Sequence, residues 1–295
     1  MTIAMTTIAV IGTGNMGSPM AINLKKGGFK VIAYDLIEQK LEALIPHGIV
    51  KSNHHRDAIE NADIIITMLP SGVEVQSVYN DSILKFAKPG TLLIDCSTID
   101  TAESKDIHQK SQALGFPALD APVSGGTVGA KNGTLSFMVG GDAADLERAR
   151  PAFDAMGKAI IHCGPAGMGQ AAKMCNNMML AIQMSSVAEG FRLAEECGLE
   201  SAKLFDVALA SSGNCFALTT FCPIPNLVET APSSNDYRAG FSAALMQKDL
   251  TLALKAADRS NLNLTSAKAA AIRYQELIEQ GREDIDFSAI YTNIN

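Results

Sequence analysis

The 295-residue sequence predicts an α/β protein in which a domain with a parallel sheet precedes an all-α domain. Up to about Pro165, short β-branched runs alternate with segments of helical periodicity, which is typical of parallel strands joined by crossover helices. From Gly169 onward the strand patterns end and the helical ones continue. We therefore predict a first domain over residues 1–165 and a second over 166–295, which begins with a long interdomain helix.

Strands of the first domain are predicted where β-branched and apolar residues form short runs, at Ile8–Ile11, Val31–Tyr34, Ile64–Leu69, Leu92–Asp95 and Phe137–Val139. The second domain is predicted to contain helices at Gln170–Cys197, Ala202–Ala210, Ala243–Ser260 and Ser266–Gln280. A loop with Pro223, Pro225 and Pro232 interrupts these helices, since proline cannot continue a helix.

Composition excludes several classes of protein. Apolar residues make up 47% and charged residues 19%, which fits a compact fold. The 24 Lys and Arg against 31 Asp and Glu leave a net charge of −7 without a long basic run, so no nucleic-acid partner is expected. No apolar stretch reaches the length of about 18 residues that a membrane helix needs, so no membrane association is expected.

Two features bear on the compartment. The N-terminus lacks the charged region of a signal peptide. The six cysteines form no C-x-x-C pair, which favours a reduced compartment of the cytoplasmic type. A bacterial cytosol and a processed organellar matrix both fit.

The first motif is Gly12-x-Gly14-x-x-Gly17, between the first strand and a helix. In this context the first glycine allows a tight turn, the second lets a pyrophosphate approach the backbone, and the third permits close packing of helix and strand. The helix N-terminus adds N–H donors and a positive dipole. The second strand then ends at Asp35, whose carboxylate can accept hydrogen bonds from ribose hydroxyls. The motif predicts a dinucleotide-binding site.

Asp35 also distinguishes between the two nicotinamide cofactors. A 2′-phosphate beside this carboxylate would meet a like charge, at a cost of about 1–4 kcal/mol at 4 Å. No arginine follows, because the next residues are Leu36, Ile37 and Glu38. NAD is the expected cofactor.

A second motif, Asp120-Ala121-Pro122-Val123-Ser124-Gly125-Gly126, places a hydroxyl beside unhindered backbone N–H groups. Such an arrangement suits a small carboxylate, although the pattern alone is as typical of a glycine-rich hairpin loop.

A third motif includes Lys173 and Asn177, which are four residues apart and share one helix face. A lysine buried among Ala and Met would have a lowered pKa and could act as an acid/base. The pattern alone favours a lysine whose stem lies on the surface. A fourth, Lys248-Asp249-Leu250, is by itself only an amphipathic helix with a solvated ion pair.

Together the four ordered motifs resemble those of the β-hydroxyacid dehydrogenases, over essentially the whole chain. The first is similar to the family's cofactor signature, and the others to its substrate, catalytic and C-terminal cofactor signatures. The stretch from Pro223 to Phe241 resembles the hydroxyisobutyrate branch more than the tartronate semialdehyde reductase branch.

The resemblance implies a role for each matching residue. Lys173 would be the catalytic acid/base. The substrate would be held by Ser124, Gly125, Gly126 and Asn177. The cofactor would be held by Gly12, Gly14, Asn15, Met16, Gly17, Asp35, Leu69, Pro70, Thr98 and Lys248. The architecture would be a Rossmann domain, a long interdomain helix and an all-α domain.

The implied activity is NAD-dependent oxidation of 3-hydroxyisobutyrate to methylmalonate semialdehyde, a step of valine catabolism. The alternatives are reduction of tartronate or succinic semialdehyde by a related enzyme, and a non-catalytic nucleotide-binding module. No metal is expected, because protonated Lys173 can polarise a carbonyl and the five histidines lack zinc-ligand spacing. The apolar helices after residue 165 also suggest a homodimer or homotetramer.

Overall fold

A computed structural model describes residues 5–294. The chain forms two compact units, one ending at Lys173 and the other beginning at Met174, so the division falls within a long helix.

The first unit is built on one nine-stranded sheet. Its strands are β1 (Thr7–Ile11), β2 (Lys30–Tyr34), β3 (Val50–Lys51), β4 (Ile64–Thr67), β5 (Leu92–Asp95), β6 (Ala118–Asp120), β7 (Val123–Ser124), β8 (Leu135–Gly141) and β9 (Gly157–Gly164). The order is β3-β2-β1-β4-β5-β6-β8-β7, with β9 beside β8. All pairs among β1–β6 are parallel, whereas β8 is antiparallel to β6 and β7. The predicted parallel sheet is therefore confirmed for its first six strands.

Helices cover the sheet in the order expected for crossover connections. They are α1 (Gly17–Lys26), α2 (Glu38–Glu42), α3 (His55–Ile59), α4 (Gly72–Val78), α5 (Leu84–Phe86), α6 (Thr101–Ala113), α7 (Gly126–Asn132) and α8 (Ala143–Met156). Residues of β1 alternate between two hydrophobic clusters, with Ile8 and Val10 in one and Ala9 and Ile11 in the other. The sheet is thus buried on both faces, as an α/β fold requires.

The strand predictions differ from the structure in three respects, one of which is that β8 is longer than the predicted Phe137–Val139. β4 ends at Thr67 and not at Leu69, whose N–H donates to the Ser97 hydroxyl and not to a backbone carbonyl of a neighbouring strand. The short strands β3, β6 and β7 and the partly exposed strand β9 were not predicted. β9 has no fully buried residue, and its apolar run Ala159-Ile160-Ile161 is only three residues long, between Lys158 and His162.

The second unit consists of helices. It contains the rest of α9 (Met168–Glu196), then α10 (Ser201–Leu209), α11 (Phe216–Phe221), α12 (Ala243–Arg259) and α13 (Thr265–Glu279). Its core includes Met184 and Phe191 of α9, Met246 of α12 and Tyr274 of α13. Over residues 174–294 the extended pairing is limited to two isolated bridges, which agrees with the predicted all-α domain. Among residues 5–294, no helix has the length and apolar character to cross a membrane.

Candidate active site

The glycine loop joins β1 to α1 and has the geometry of a nucleotide cradle. Gly12 has φ +93°, and a Cβ there would lie 2.4 Å from the carbonyl oxygen of Met68. A Cβ on Gly17 would lie 2.0 Å from the carbonyl oxygen of Gly12. A Cβ on Gly14 would meet nothing within 4 Å, so its backbone faces open space. This combination fits a pyrophosphate placed against the loop and the start of α1. Asn15 is exposed and Met16 precedes α1 directly.

Asp35, at the end of β2, is joined to this loop. Its Oδ2 accepts hydrogen bonds from the N–H of Thr13 at 2.7 Å and from the Thr13 hydroxyl at 3.1 Å. Its Oδ1 accepts from the N–H of Ile37 at 2.9 Å. Leu36 is 90% exposed, and Lys40 Nζ lies 4.0 Å from Oδ1. The carboxylate therefore holds the glycine loop against the end of β2.

The ends of β4 and β5 are linked through one buried carboxyl group. Asp95 Oδ1 accepts hydrogen bonds from the hydroxyls of Thr67 at 2.7 Å and Ser97 at 2.6 Å. The Ser97 oxygen in turn accepts from the N–H of Leu69 at 2.9 Å. Burial raises the pKa of Asp95. The loops that contain Leu69, Pro70 and Thr98 are thus held together at one edge of the sheet.

Ser124 ends β7, and Gly125 and Gly126 follow it. The φ angles of Gly125 and Gly126 are +127° and +59°, values that residues other than glycine rarely adopt. Ser124 is half-buried and pairs in register with Ser136 of β8.

Lys173 lies in the second turn of α9 and is only 8% exposed, so it differs from the surface lysine that the pattern alone favours. The start of the helix is held by Asp120. Asp120 Oδ1 accepts from the N–H of Gly167 at 2.7 Å, and its Oδ2 accepts from the N–H of Gln170 at 2.9 Å. The aspartate that begins the second motif therefore caps the helix that carries the third.

In the second unit, Asn177 and Asp249 are both buried. The Asn177 side-chain amide donates a hydrogen bond to Asp249 Oδ2, and Asn176 donates to Asn177 Oδ1 at 3.1 Å. Lys248 Nζ lies 4.0 Å from Asp249 Oδ1 and is 30% exposed. Asp249 thus connects two of the predicted site residues.

Several buried polar residues near the predicted site residues were not singled out from the sequence, namely Asp95, Asp120, Gln170 and Asp249. Asp120 and Asp249 stand in two of the four motifs, but no residue type in this set indicates burial by itself. Over residues 5–294, no group of three or more His, Cys, Asp or Glu side chains is arranged to hold a metal ion.

Two family models together cover the chain. One, described as the NAD binding domain of 6-phosphogluconate dehydrogenase, matches residues 7–164. The other, described as NAD-binding of NADP-dependent 3-hydroxyisobutyrate dehydrogenase, matches residues 167–294. Fold, glycine loop and both matches define a dehydrogenase that uses a nicotinamide cofactor.

Relatives narrow this class. A probable 3-hydroxyisobutyrate dehydrogenase of Mycobacterium tuberculosis is 46% identical over 286 residues, which is 97% of each chain. An NAD-dependent L-serine dehydrogenase of Pseudomonas aeruginosa is 45% identical over 288 residues, again 97% of each. The solved structure of the M. tuberculosis 3-hydroxyisobutyrate dehydrogenase with L-serine matches with a TM-score of 0.94 and 45% identity, over 98% of this chain and 99% of that one. The chain belongs to the β-hydroxyacid dehydrogenase family, and its type is that of the NAD-dependent 3-hydroxyisobutyrate dehydrogenases.

Proposed function

We propose that the protein oxidises 3-hydroxyisobutyrate to methylmalonate semialdehyde with NAD, as a step of valine degradation. The observation that carries the proposal is the buried Lys173 in the same unit as the glycine loop and the Ser124–Gly126 turn. A buried amine in the unit that binds the nucleotide can exchange a proton with a substrate hydroxyl group. A lysine with no function would more commonly extend into solvent.

In the proposed mechanism, bound NAD supplies the hydride acceptor for the substrate C3 hydrogen. Lys173, as the neutral amine, takes the proton from the C3 hydroxyl, and the carbonyl of the semialdehyde forms as the C–H bond breaks. In the reverse direction the ammonium form of Lys173 donates a hydrogen bond to the carbonyl oxygen and then its proton.

Substrate and cofactor would be held by separate groups. We assign the substrate carboxylate to the Ser124 hydroxyl and the backbone N–H groups of Gly125 and Gly126. Asn177 would help to hold the substrate and to orient Lys173, which lies four residues before it on α9. The cofactor would be held by the glycine loop from Gly12 to Gly17 with Asn15 and Met16, by Asp35, and by Leu69, Pro70, Thr98 and Lys248.

L-serine is a second candidate substrate. Its carbon skeleton is also that of a 3-hydroxy acid, and two of the similar proteins above are a serine dehydrogenase and a structure with bound serine. Tartronate semialdehyde and succinic semialdehyde are further candidates, as substrates for reduction, because Lys173 could donate the proton in the same way.

We also propose a cellular location, which is a bacterial cytosol or an organellar matrix.

We further expect the protein to form a homodimer or homotetramer through its helical unit. Exposed apolar side chains of that unit, Leu193, Val207, Phe216 and Ile272, support self-association. Light scattering that finds a 31.2 kDa monomer at micromolar concentration would exclude it.

A panel of acids tests the assignment. Both enantiomers of 3-hydroxyisobutyrate, L-serine and D-serine are each supplied with NAD, and the reduced-nicotinamide absorbance is followed. The expected result is the highest kcat/KM for one enantiomer of 3-hydroxyisobutyrate and loss of the signal in Lys173→Ala. A higher kcat/KM for L-serine would transfer the function to serine oxidation, and no turnover with any acid would refute both.

A further inference from the structure

We propose that Gln170 is a positioning residue, which fixes Lys173 relative to the loop that contains Thr98. This inference rests on the proposed function, because it concerns the geometry of the same acid/base. It depends only on contacts within the first unit.

The side-chain amide of Gln170 makes two hydrogen bonds to the loop after β5. Its Nε2 donates to the carbonyl oxygen of Ser97 at 2.8 Å, and its Oε1 accepts from the N–H of Ile99 at 3.1 Å. The side chain is 1% exposed. It therefore pairs with the backbone on both sides of Thr98, the residue that we assign to the nicotinamide end of the cofactor.

The opposite end of this connection is the helix that carries the proposed acid/base. Gln170 and Lys173 are three residues apart on α9, so their side chains are neighbours on the helix surface. The backbone N–H of Gln170 is held by Asp120 Oδ2, which fixes the first turn of the helix to the end of β6. One residue thus joins the helix, the loop of Thr98 and the aspartate that precedes the Ser124 turn.

A carboxamide matches the two backbone groups that the loop presents at this position. The loop presents one backbone acceptor and one backbone donor, and an amide side chain matches both in a single planar group. An apolar residue of equal length would leave the Ser97 carbonyl and the Ile99 N–H unpaired in a buried place. A loop that moves by about 1 Å for this reason can lower turnover by about 10²-fold, since proton and hydride transfer depend on alignment.

The main test compares Gln170→Met with Thr91→Val. The Thr91 hydroxyl also makes a buried hydrogen bond to a backbone carbonyl, that of Ala62 at 2.9 Å, but it precedes β5 and lies at the end of the strand opposite to the loop. For Gln170→Met we expect kcat to fall by about 10–10²-fold, with KM for the acid and Kd for NAD within about threefold of the wild type. Thr91→Val should keep wild-type kcat within about twofold.

Gln170→Glu gives a readout that a merely structural role would not move. The protonated carboxyl can donate to the Ser97 carbonyl and accept from Ile99, whereas the ionised form only accepts and repels that carbonyl. In the reductive direction we expect this variant to approach wild-type turnover at the lowest pH that it tolerates and to lose activity as the pH rises and the introduced carboxyl ionises. A parallel pH profile of variant and wild type would overturn the proposal.

Hydrogen exchange separates failure of this inference from failure of the proposed function. In the free protein, the amide of Ile99 should exchange at least about tenfold faster in Gln170→Met than in Thr91→Val, because its acceptor is lost. Equal exchange, or a Gln170→Met enzyme with wild-type kcat, would overturn the positioning role while the hydroxy-acid assignment stands. If the wild type oxidises none of the acids, the proposed function fails, and the exchange result alone decides whether Gln170 fixes the loop.

Discussion

The side-chain amide of Asn177 on α9 donates a hydrogen bond to the buried carboxylate of Asp249 on α12. The two residues are 72 positions apart in the chain. Since Asn177 Oδ1 also accepts from Asn176, the orientation of this amide is determined by its neighbours on both sides. A substrate that contacts Asn177 therefore meets a side chain that is already oriented.

Replacement of Asp249 should accordingly disturb both stability and substrate binding. Asp249→Ala leaves the buried Asn177 amide without this acceptor. We therefore expect the free energy of unfolding to fall by about 1–3 kcal/mol. The KM for the acid should rise by about tenfold as Asn177 loses its orientation. Urea unfolding and steady-state kinetics measure the two effects. Asp258→Ala, at an exposed aspartate of the same helix, is the matched control and should change neither. An unchanged KM in Asp249→Ala would contradict the role of Asn177.

The fold was predictable where a local pattern is sufficient. The runs of β1, β2 and β5 and the periodicity of α9 depend on residues adjacent in sequence, and the predicted bounds agree within two residues. β8 extends two residues beyond its predicted run at each end, because Leu135 and Gly141 take part in the ladder through their backbone.

The polar framework of the site was not predictable in the same way. The side chain of Gln170 makes its hydrogen bonds to residues more than 70 positions away, and the side chain of Asp120 makes its bonds to residues about 50 positions away. Neither residue type indicates such a partner, because an aspartate or glutamine is equally compatible with a solvated loop. Only the fold determines which polar group is buried and what it contacts.

The burial of His108 should make the free energy of unfolding depend on pH. It is buried on α6, with its Nε2 3.6 Å from Asp120 Oδ1, and burial lowers its pKa below 6.5 despite the nearby Asp120 and Asp145. As the pH falls, His108 therefore becomes protonated in the unfolded chain at a higher pH than in the folded protein. The contribution of the neutral imidazole to stability is complete above pH 6.5 and is lost as the pH falls below that value.

We expect His108→Leu to lose less stability than the wild type between pH 7.5 and pH 5.5, as measured by urea unfolding. Other groups with shifted pKa values remain in both proteins, so the difference reports His108 together with Asp120 and Asp145, which face it. His47→Leu, at an exposed histidine, should keep the wild-type pH dependence. The same loss in His108→Leu as in the wild type would show that His108 does not titrate as described.

Asp35 predicts the choice of cofactor. We expect kcat/KM to be at least about tenfold higher with NAD than with NADP, or about 1.4 kcal/mol, because the carboxylate repels a 2′-phosphate. Asp35→Ser combined with Leu36→Arg should shift the preference toward NADP. Some activity with NAD should also be lost, since the carboxylate holds Thr13 of the glycine loop. Leu36→Arg alone is the control, and equal efficiency of the wild type with both cofactors would contradict the prediction.

Replacement of Ser124 should weaken substrate binding and leave cofactor binding nearly unchanged. Ser124→Ala removes one donor to the substrate carboxylate, while the backbone N–H groups of Gly125 and Gly126 remain. We expect KM for the acid to rise by about tenfold and the Kd for NAD, from fluorescence titration, to stay within about twofold. Ser136→Ala, on the paired position of β8, controls for the loss of a hydroxyl from this part of the sheet. A large loss of NAD affinity in Ser124→Ala would move Ser124 to the cofactor site.

Lys173 gives the most direct prediction. A general acid/base contributes about 10²–10⁴-fold, or about 3–5 kcal/mol, so Lys173→Ala should lose at least about 10²-fold in kcat near neutral pH. NAD should still bind, because the glycine loop and Asp35 are unchanged. Lys173→Arg should be nearly as damaging, since a guanidinium stays protonated and cannot accept the hydroxyl proton. The oxidation rate of the wild type should rise with pH as the lysine loses its proton, and the Arg variant should lack that rise.

Lys248→Ala is the control for Lys173, because it removes a lysine from the proposed cofactor contacts and leaves the acid/base in place. It should raise the Kd for NAD with a smaller effect on kcat at saturating NAD. Single-turnover measurements with saturating NAD separate the two lysines, since only loss of Lys173 should slow the hydride-transfer step itself. If Lys173→Ala keeps more than about a tenth of wild-type turnover, Lys173 is not the acid/base, because loss of a general acid/base typically costs about 10²–10⁴-fold.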